Sequence, residues 1–153
     1  MSKPFALQSL LHLSQKKNDA ATKKLGQLNS HQQSAQSKLE MLQQYRRDYQ
    51  QKMQEAERNG MDLHELCNFR DFIYRLDDAI AQQNTAVTQA TSSVQHGLSE
   101  LSATQRSMKS YDTLAVRHQA SENKKTAKIE QTMQDEHSAR SVAYKKSEQD
   151  EKN

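Results

Sequence analysis

The sequence predicts an all-α protein: an antiparallel two-helix coiled-coil hairpin over residues 1–118, turning near 58–62, followed by a helical extension over 119–153 that becomes disordered. Three observations carry this. Two segments repeat apolar residues at alternating spacings of four and three, they are nearly equal in length, and Arg58-Asn59-Gly60-Met61-Asp62 separates them. Asn and Gly both tolerate positive φ, so the pair breaks a helix locally.

The first arm starts near Ser2 and Pro4, since proline in a first helical turn forfeits no intrahelical hydrogen bond. Its 4-3 spacing then runs through Leu7, Leu11, Ser14, Asn18, Ala21, Leu25, Leu28, Gln32, Ala35, Leu39, Leu42, Arg46, Tyr49, Met53 and Ala56. Eleven of these fifteen are apolar, and a pattern sustained over that length is a coiled-coil seam. With Leu7 at heptad position d, Asn18, Gln32 and Arg46 all fall at a, where polar side chains lower stability and fix register and strand number.

After the turn, Asp62 and Glu65 have capping-box spacing, Asp62 accepting from early backbone N–H groups and Glu65 reaching back. The second seam runs through Leu66, Phe69, Ile73, Leu76, Ile80, Gln83, Val87, Ala90, Val94, Gly97, Leu101, Thr104, Met108, Tyr111 and Ala115, twelve of fifteen apolar. Equal seams folded back at Gly60 set Leu7 near Ala115, Leu25 near Val94 to Leu101, and Met53 near Leu66 to Phe69. An αα-hairpin follows. Gly97 sacrifices about 1 kcal/mol of helix propensity relative to Ala; of a close helix approach and a soft point, the soft point is the expectation, with Thr104 following. Beyond Ala115 the register reads His118, Glu122, Lys125, Ile129, Thr132 and Glu136, with one apolar residue in six. A helix with nothing to bury against is marginal in water, hence the fraying tail.

Composition limits function. With 33% hydrophobic residues, 27% charged, three Gly, one Pro and no Trp, an ordinary globular core is out of reach. The six His are scattered, His64-Glu65-Leu66-Cys67-Asn68 lacks the second histidine of a zinc motif, and no Gly-rich phosphate loop occurs. The expectation is a non-enzyme with no metal, no cofactor and no small-molecule substrate. Residues 1–58 carry ten Lys/Arg against five Asp/Glu, residues 59–118 five against seven, and 119–153 seven against seven. No basic block is dense enough to argue for nucleic acid; Lys124, Lys125 and Lys128 read as a solvated face. One cysteine, Cys67, fits a reducing compartment, no stretch matches a membrane span, and the N-terminus lacks a signal peptide's apolar core, so a cytoplasmic protein is expected.

Near the turn, Leu42, Tyr45 and Tyr49 on the first arm and Phe72, Leu76 and Ala79 on the second follow spacings of three and four that combine d positions with their g neighbours. A two-stranded seam covers d and leaves much of g open, so Tyr45 and Phe72 should stand half out on one flank. Five of the eight aromatic residues lie between Tyr45 and Tyr74. The flank either thickens a thin core or forms a partner-binding patch.

Phe5-Ala6-Leu7-Gln8-Ser9-Leu10-Leu11-His12-Leu13, the stretch from Leu39 to Tyr49, and the run from Asn68 through Leu76 to Ile80 together resemble the flagellar FliJ family, over about residues 5–115. The resemblance implies a soluble component of the flagellar type III export apparatus, folded as an antiparallel coiled coil like the central stalk of rotary ATPases. It implies three partners: the hexameric flagellar export ATPase, whose ring assembly and turnover the family promotes; the cytoplasmic domain of the export-gate membrane protein; and flagellar export chaperones, which the family escorts. It places the protein in the cytoplasm, peripherally associated with the inner-membrane export apparatus. The family's gate-binding patch maps onto Leu42, Tyr45, Tyr49, Phe72, Leu76 and Ala79.

Location and charge nominate Lys16, Lys17, Lys23, Lys24 and Arg117 as ATPase contacts, since screened charges adapt to a ring interior. Alternatives are a stalk component of an injectisome, an unrelated coiled-coil tether or adaptor, and a nucleic-acid-binding hairpin, whose affinity would fall steeply with salt.

Overall fold

The computed structural model describes residues 4–152. Two helices account for nearly all of them: α1, Gln8–Asn59, and α2, Leu63–Asp150. The chain divides into a central unit, Lys17–Gln105, and a terminal unit made of the chain up to Lys16 and from Arg106.

In the central unit the helices pack antiparallel, as the cross-helix bonds show: Lys24 pairs with Glu100, Gln32 with Thr91 and Arg46 with Asp77. Every expected seam position in both arms is buried or half-buried. The most enclosed apolar side chains of the central unit are Ala35, Leu39, Leu76, Ala90 and Val94. No described side chain is fully buried, because two helices leave both edges of a seam open to water.

Each polar residue on the seam of this unit has a specific partner across it. Thr104 Oγ1 donates to Asn18 Oδ1 at 3.3 Å, Gln32 Nε2 to Thr91 Oγ1 at 3.0 Å, and Gln83 Nε2 to the Ala35 carbonyl at 2.8 Å. Arg46 reaches Asp77 through Nε and holds Gln50 on its own helix through a second nitrogen at 3.1 Å. Half-buried polar groups are thereby satisfied, which removes most of the penalty for taking them out of water.

Gly97 is a close approach and not the expected soft point. It is buried, and a Cβ there would stand 2.9 Å from Leu28 Cδ1 and 3.3 Å from Leu25 Cδ1. The missing side chain is space already filled by the two leucines of α1. Gly97→Val should therefore destabilise the protein by about 1–2 kcal/mol through overpacking, and Gly97→Ala by less, since the helix propensity gained offsets part of the clash. Thermal unfolding of the two variants beside the parent checks the order.

The turn follows its residue types. Gly60 has φ 86°, which L side chains rarely adopt, and its N–H reaches back to the Glu57 carbonyl at 3.4 Å. Asp62 caps α2, its Oδ1 accepting from Glu65 N–H at 2.8 Å, and the Asp62 carbonyl takes Leu66 N–H at 3.1 Å.

In the terminal unit α1 begins at Gln8, later than the sequence suggested; Pro4 precedes the helix and Ser2 lies outside the described residues. The chain from Phe5 first makes a turn, Gln8 N–H to the Phe5 carbonyl at 3.0 Å, while the Phe5 ring rests on His118 with centroids 5.4 Å apart. That contact holds the aromatic ring inward. Leu11 and Ser14 are buried here, the Ser14 hydroxyl donating to the Leu11 carbonyl at 2.8 Å, and so is Glu122, with Lys125 at 3.2 Å from its carboxylate. From Asn123 to the end of α2 at Asp150 every side chain is exposed.

Candidate functional site

The aromatic flank lies in the central unit, on the last turns of α1 and the first turns of α2. Spacings of three and four keep Leu42, Tyr45 and Tyr49 on one face of α1, and Phe72, Leu76 and Ala79 on one face of α2. The structure sorts the six by depth. Leu76 is buried at 7% exposure, Leu42, Tyr49 and Ala79 are half-buried, and Tyr45 and Phe72 stand out at 51% and 39%.

Tyr49 joins the two helices. Its ring centroid is 4.2 Å from that of Phe72, tilted by 33°, and 5.4 Å from that of Phe69, tilted by 56°. Such offset and tilted contacts are favourable between aromatic quadrupoles. They brace Phe72, which is still 39% exposed, while Tyr45, 51% exposed, has no ring contact among the described residues. One ring braced by Tyr49 and a second, more exposed ring suit protein recognition, where aromatic anchors are large and partly polar.

The surroundings are polar, and some of the charges are engaged. Arg46 is committed to Asp77 and Gln50, Asp48 accepts from Gln44 at 2.8 Å, and Arg47 donates to Gln44 at 2.7 Å. Asp71, Arg75 and Asp78, the neighbours of Phe72, Leu76 and Ala79, are exposed and have no hydrogen bond or ion pair among the described residues, so a partner meeting this flank encounters apolar rings bordered by both engaged and free charges. Sequence reasoning missed two residues here. Asp77 was not paired with Arg46, although an antiparallel register places it opposite; and Met41, 48% exposed one turn before Tyr45, extends the apolar surface.

The five nominated cations fall in both units. Lys16 and Arg117 belong to the terminal unit, and Lys17, Lys23 and Lys24 to the central one; all are exposed. Lys24 lies 3.4 Å from Glu100, and with Lys17 it borders an open groove floored by Ala20, Ala21 and Ala103. Lys17 and Lys23 make no ion pair in the central unit's described residues, which leaves both ammonium groups available.

Comparison with known proteins decides the family. A family description, Flagellar FliJ protein, matches residues 2–147. The chain belongs to the flagellar FliJ family. Curated FliJ relatives include the Flagellar FliJ protein of Salmonella typhi, 28% identical over 145 residues, and that of Escherichia coli strain K12, 25% identical over the same length. Both alignments cover 95% of this chain and 99% of the relative. The match thus takes in both arms of the FliJ hairpin, the aromatic flank and most of the exposed helix beyond Glu122. No helix among the described residues of this FliJ family member is long and apolar enough to cross a membrane.

Proposed function

We propose that this protein is a non-enzymatic component of flagellar type III protein export, a stalk-like coiled coil acting in the cytoplasm at the inner-membrane export apparatus. In this reading it binds the hexameric export ATPase and promotes its assembly and activity, links it to the cytoplasmic domain of the export-gate membrane protein, and escorts export chaperones. The family match over residues 2–147 carries the proposal.

Two features of the chain support the division of labour. Helical interiors are stiff, and the central unit is held by four specific polar contacts as well as apolar layers, so it suits transmission of force better than enclosure of a substrate. The aromatic flank offers a built surface for the gate domain, and exposed lysines near the other end of the central unit offer adjustable contacts for the ATPase.

Turnover of the cognate flagellar export ATPase, measured with and without this protein at low micromolar concentration beside co-elution of the two, tests the reading. Stimulation with co-elution is expected. No binding and no change in turnover would reject the stalk role and leave an adaptor with another partner. Reversing Lys17, Lys23 and Lys24 to Glu should weaken ATPase binding several-fold while helix content stays constant, because the one surface ion pair lost, Lys24 with Glu100, contributes less than about 1 kcal/mol. Unchanged binding would remove these lysines from the interface.

A further inference from the structure

The turn that reverses the chain also carries a chemical liability. Asn59 is the last residue of α1, it is exposed, and Gly60 follows it with φ 86° and nothing within 4 Å of where a Cβ would stand. The Gly60 N–H is held only by a long bond of 3.4 Å to the Glu57 carbonyl. We propose that the Asn59–Gly60 bond is a site of spontaneous deamidation, which converts Asn59 to aspartate and isoaspartate in the folded protein.

The step needs no catalyst and balances without a redox partner. The Gly60 backbone nitrogen attacks the Asn59 side-chain carbonyl carbon, forming a carbon–nitrogen bond and closing a five-membered succinimide. The Asn59 Cγ–Nδ2 bond breaks, and the amide leaves as ammonia, taking up the proton that Gly60 nitrogen lost. Water then opens the ring at either carbonyl. One opening yields aspartate; the other routes the backbone through the former side chain as isoaspartate.

Three physical conditions favour the step at this position. Glycine presents no Cβ to block the ring closure. The nitrogen that must attack is barely engaged, whereas an N–H inside a helix is committed to a carbonyl four residues back. The rotation that Asn59 needs takes place at a helix end, where opening is local and nearly free. Asn29–Ser30 supplies the internal contrast: Asn29 is also exposed and precedes a small residue, but it lies deep inside α1, where the Ser30 N–H is tied into the helix.

The product changes the reversal in two ways. One negative charge appears at the C-terminal end of α1, where it opposes the helix dipole, and the net charge of +3 falls by one. The isoaspartyl form also lengthens the connection between the helices by one methylene.

The test incubates the full chain at physiological temperature and mildly alkaline pH, digests it with pepsin at acid pH to stop further conversion, and follows peptides by mass spectrometry. The peptide containing Asn59 should gain nearly one dalton and resolve into two isomers, the isoaspartyl form accepting a methyl group from an isoaspartyl methyltransferase. Its rate should rise with pH, because the attacking species is the deprotonated amide nitrogen. The Asn29 peptide should stay unchanged, and Asn59→Gln, whose longer side chain closes a ring far more slowly, should abolish the gain with helix content intact. Persistence of the Asn59 amide, conversion of Asn29 at the same rate, or an undiminished mass gain in Asn59→Gln would each overturn the proposal.

Discussion

Leu76→Ala is expected to lower the unfolding free energy by about 2–3 kcal/mol, near the low end for a buried leucine because the seam edge lets neighbours relax into the gap. Leu76 is 7% exposed, among the most enclosed apolar side chains of the molecule, although the resemblance counts it with the gate-contacting residues. A side chain at that depth presents little surface to a partner. Its removal should shift the urea midpoint of helix loss strongly, and any loss of gate binding should disappear when the variant is assayed well below its unfolding transition. A variant as stable as the parent that still fails to bind would show that Leu76 touches the partner directly.

Tyr45→Ala combined with Phe72→Ala should have the opposite profile. Tyr45 is 51% exposed and Phe72 39%, so truncation removes mostly solvent-facing surface. The stability lost is expected to stay near the 0.5–1.5 kcal/mol of one aromatic contact, roughly that of Phe72 with Tyr49. Binding to the cytoplasmic domain of the export gate should weaken by about tenfold or more, as truncation of aromatic anchors does. Contact with the ATPase and helix content by circular dichroism should be unchanged. Undiminished gate binding would reduce the flank to a thickening of a thin core, and joint loss of both partners would signal misfolding. Comparing the pair with Leu76→Ala separates contact from support, a distinction that a list of six patch residues cannot make.

Much of this was legible in the residues because a coiled coil writes its core in one dimension. The spacing of Leu, Ala and Val with Tyr49 and Phe69 names the seam without knowledge of the partner helix, and Asn59-Gly60 with Asp62 names the turn. The exposure of Tyr45 and Phe72 follows from their g positions alone. What was hidden depends on the space between the helices. Gly97 looks like a weak point until the register puts Leu25 and Leu28 against it, since a sequence shows a missing side chain and not what fills its place. Asp77 and Thr91 are unremarkable flanking residues until Arg46 and Gln32 reach them across the seam. α1 starts at Gln8 and not near Ser2 and Pro4; Phe5 lies before the helix with its ring against His118, a contact on which the proline rule is silent.

The polar rungs of the central unit act together as a key. Asn18, Gln32 and Arg46 recur every fourteen residues, two full heptads, and each has its own partner across the seam: the Thr104 hydroxyl, the Thr91 hydroxyl and the Asp77 carboxylate. If the helices slipped past one another by one heptad, all three would lose these partners at once, each exchanging a bond across the seam for water at its open edge. A slip of two heptads would bring the polar rungs back into step, but a connection of three residues, Gly60 to Asp62, has no slack to allow it. Apolar layers alone would permit gliding, because one leucine is much like the next. These rungs and the short turn therefore oppose sliding of one helix of this unit along the other, so that load along one helix tends to pass to its partner.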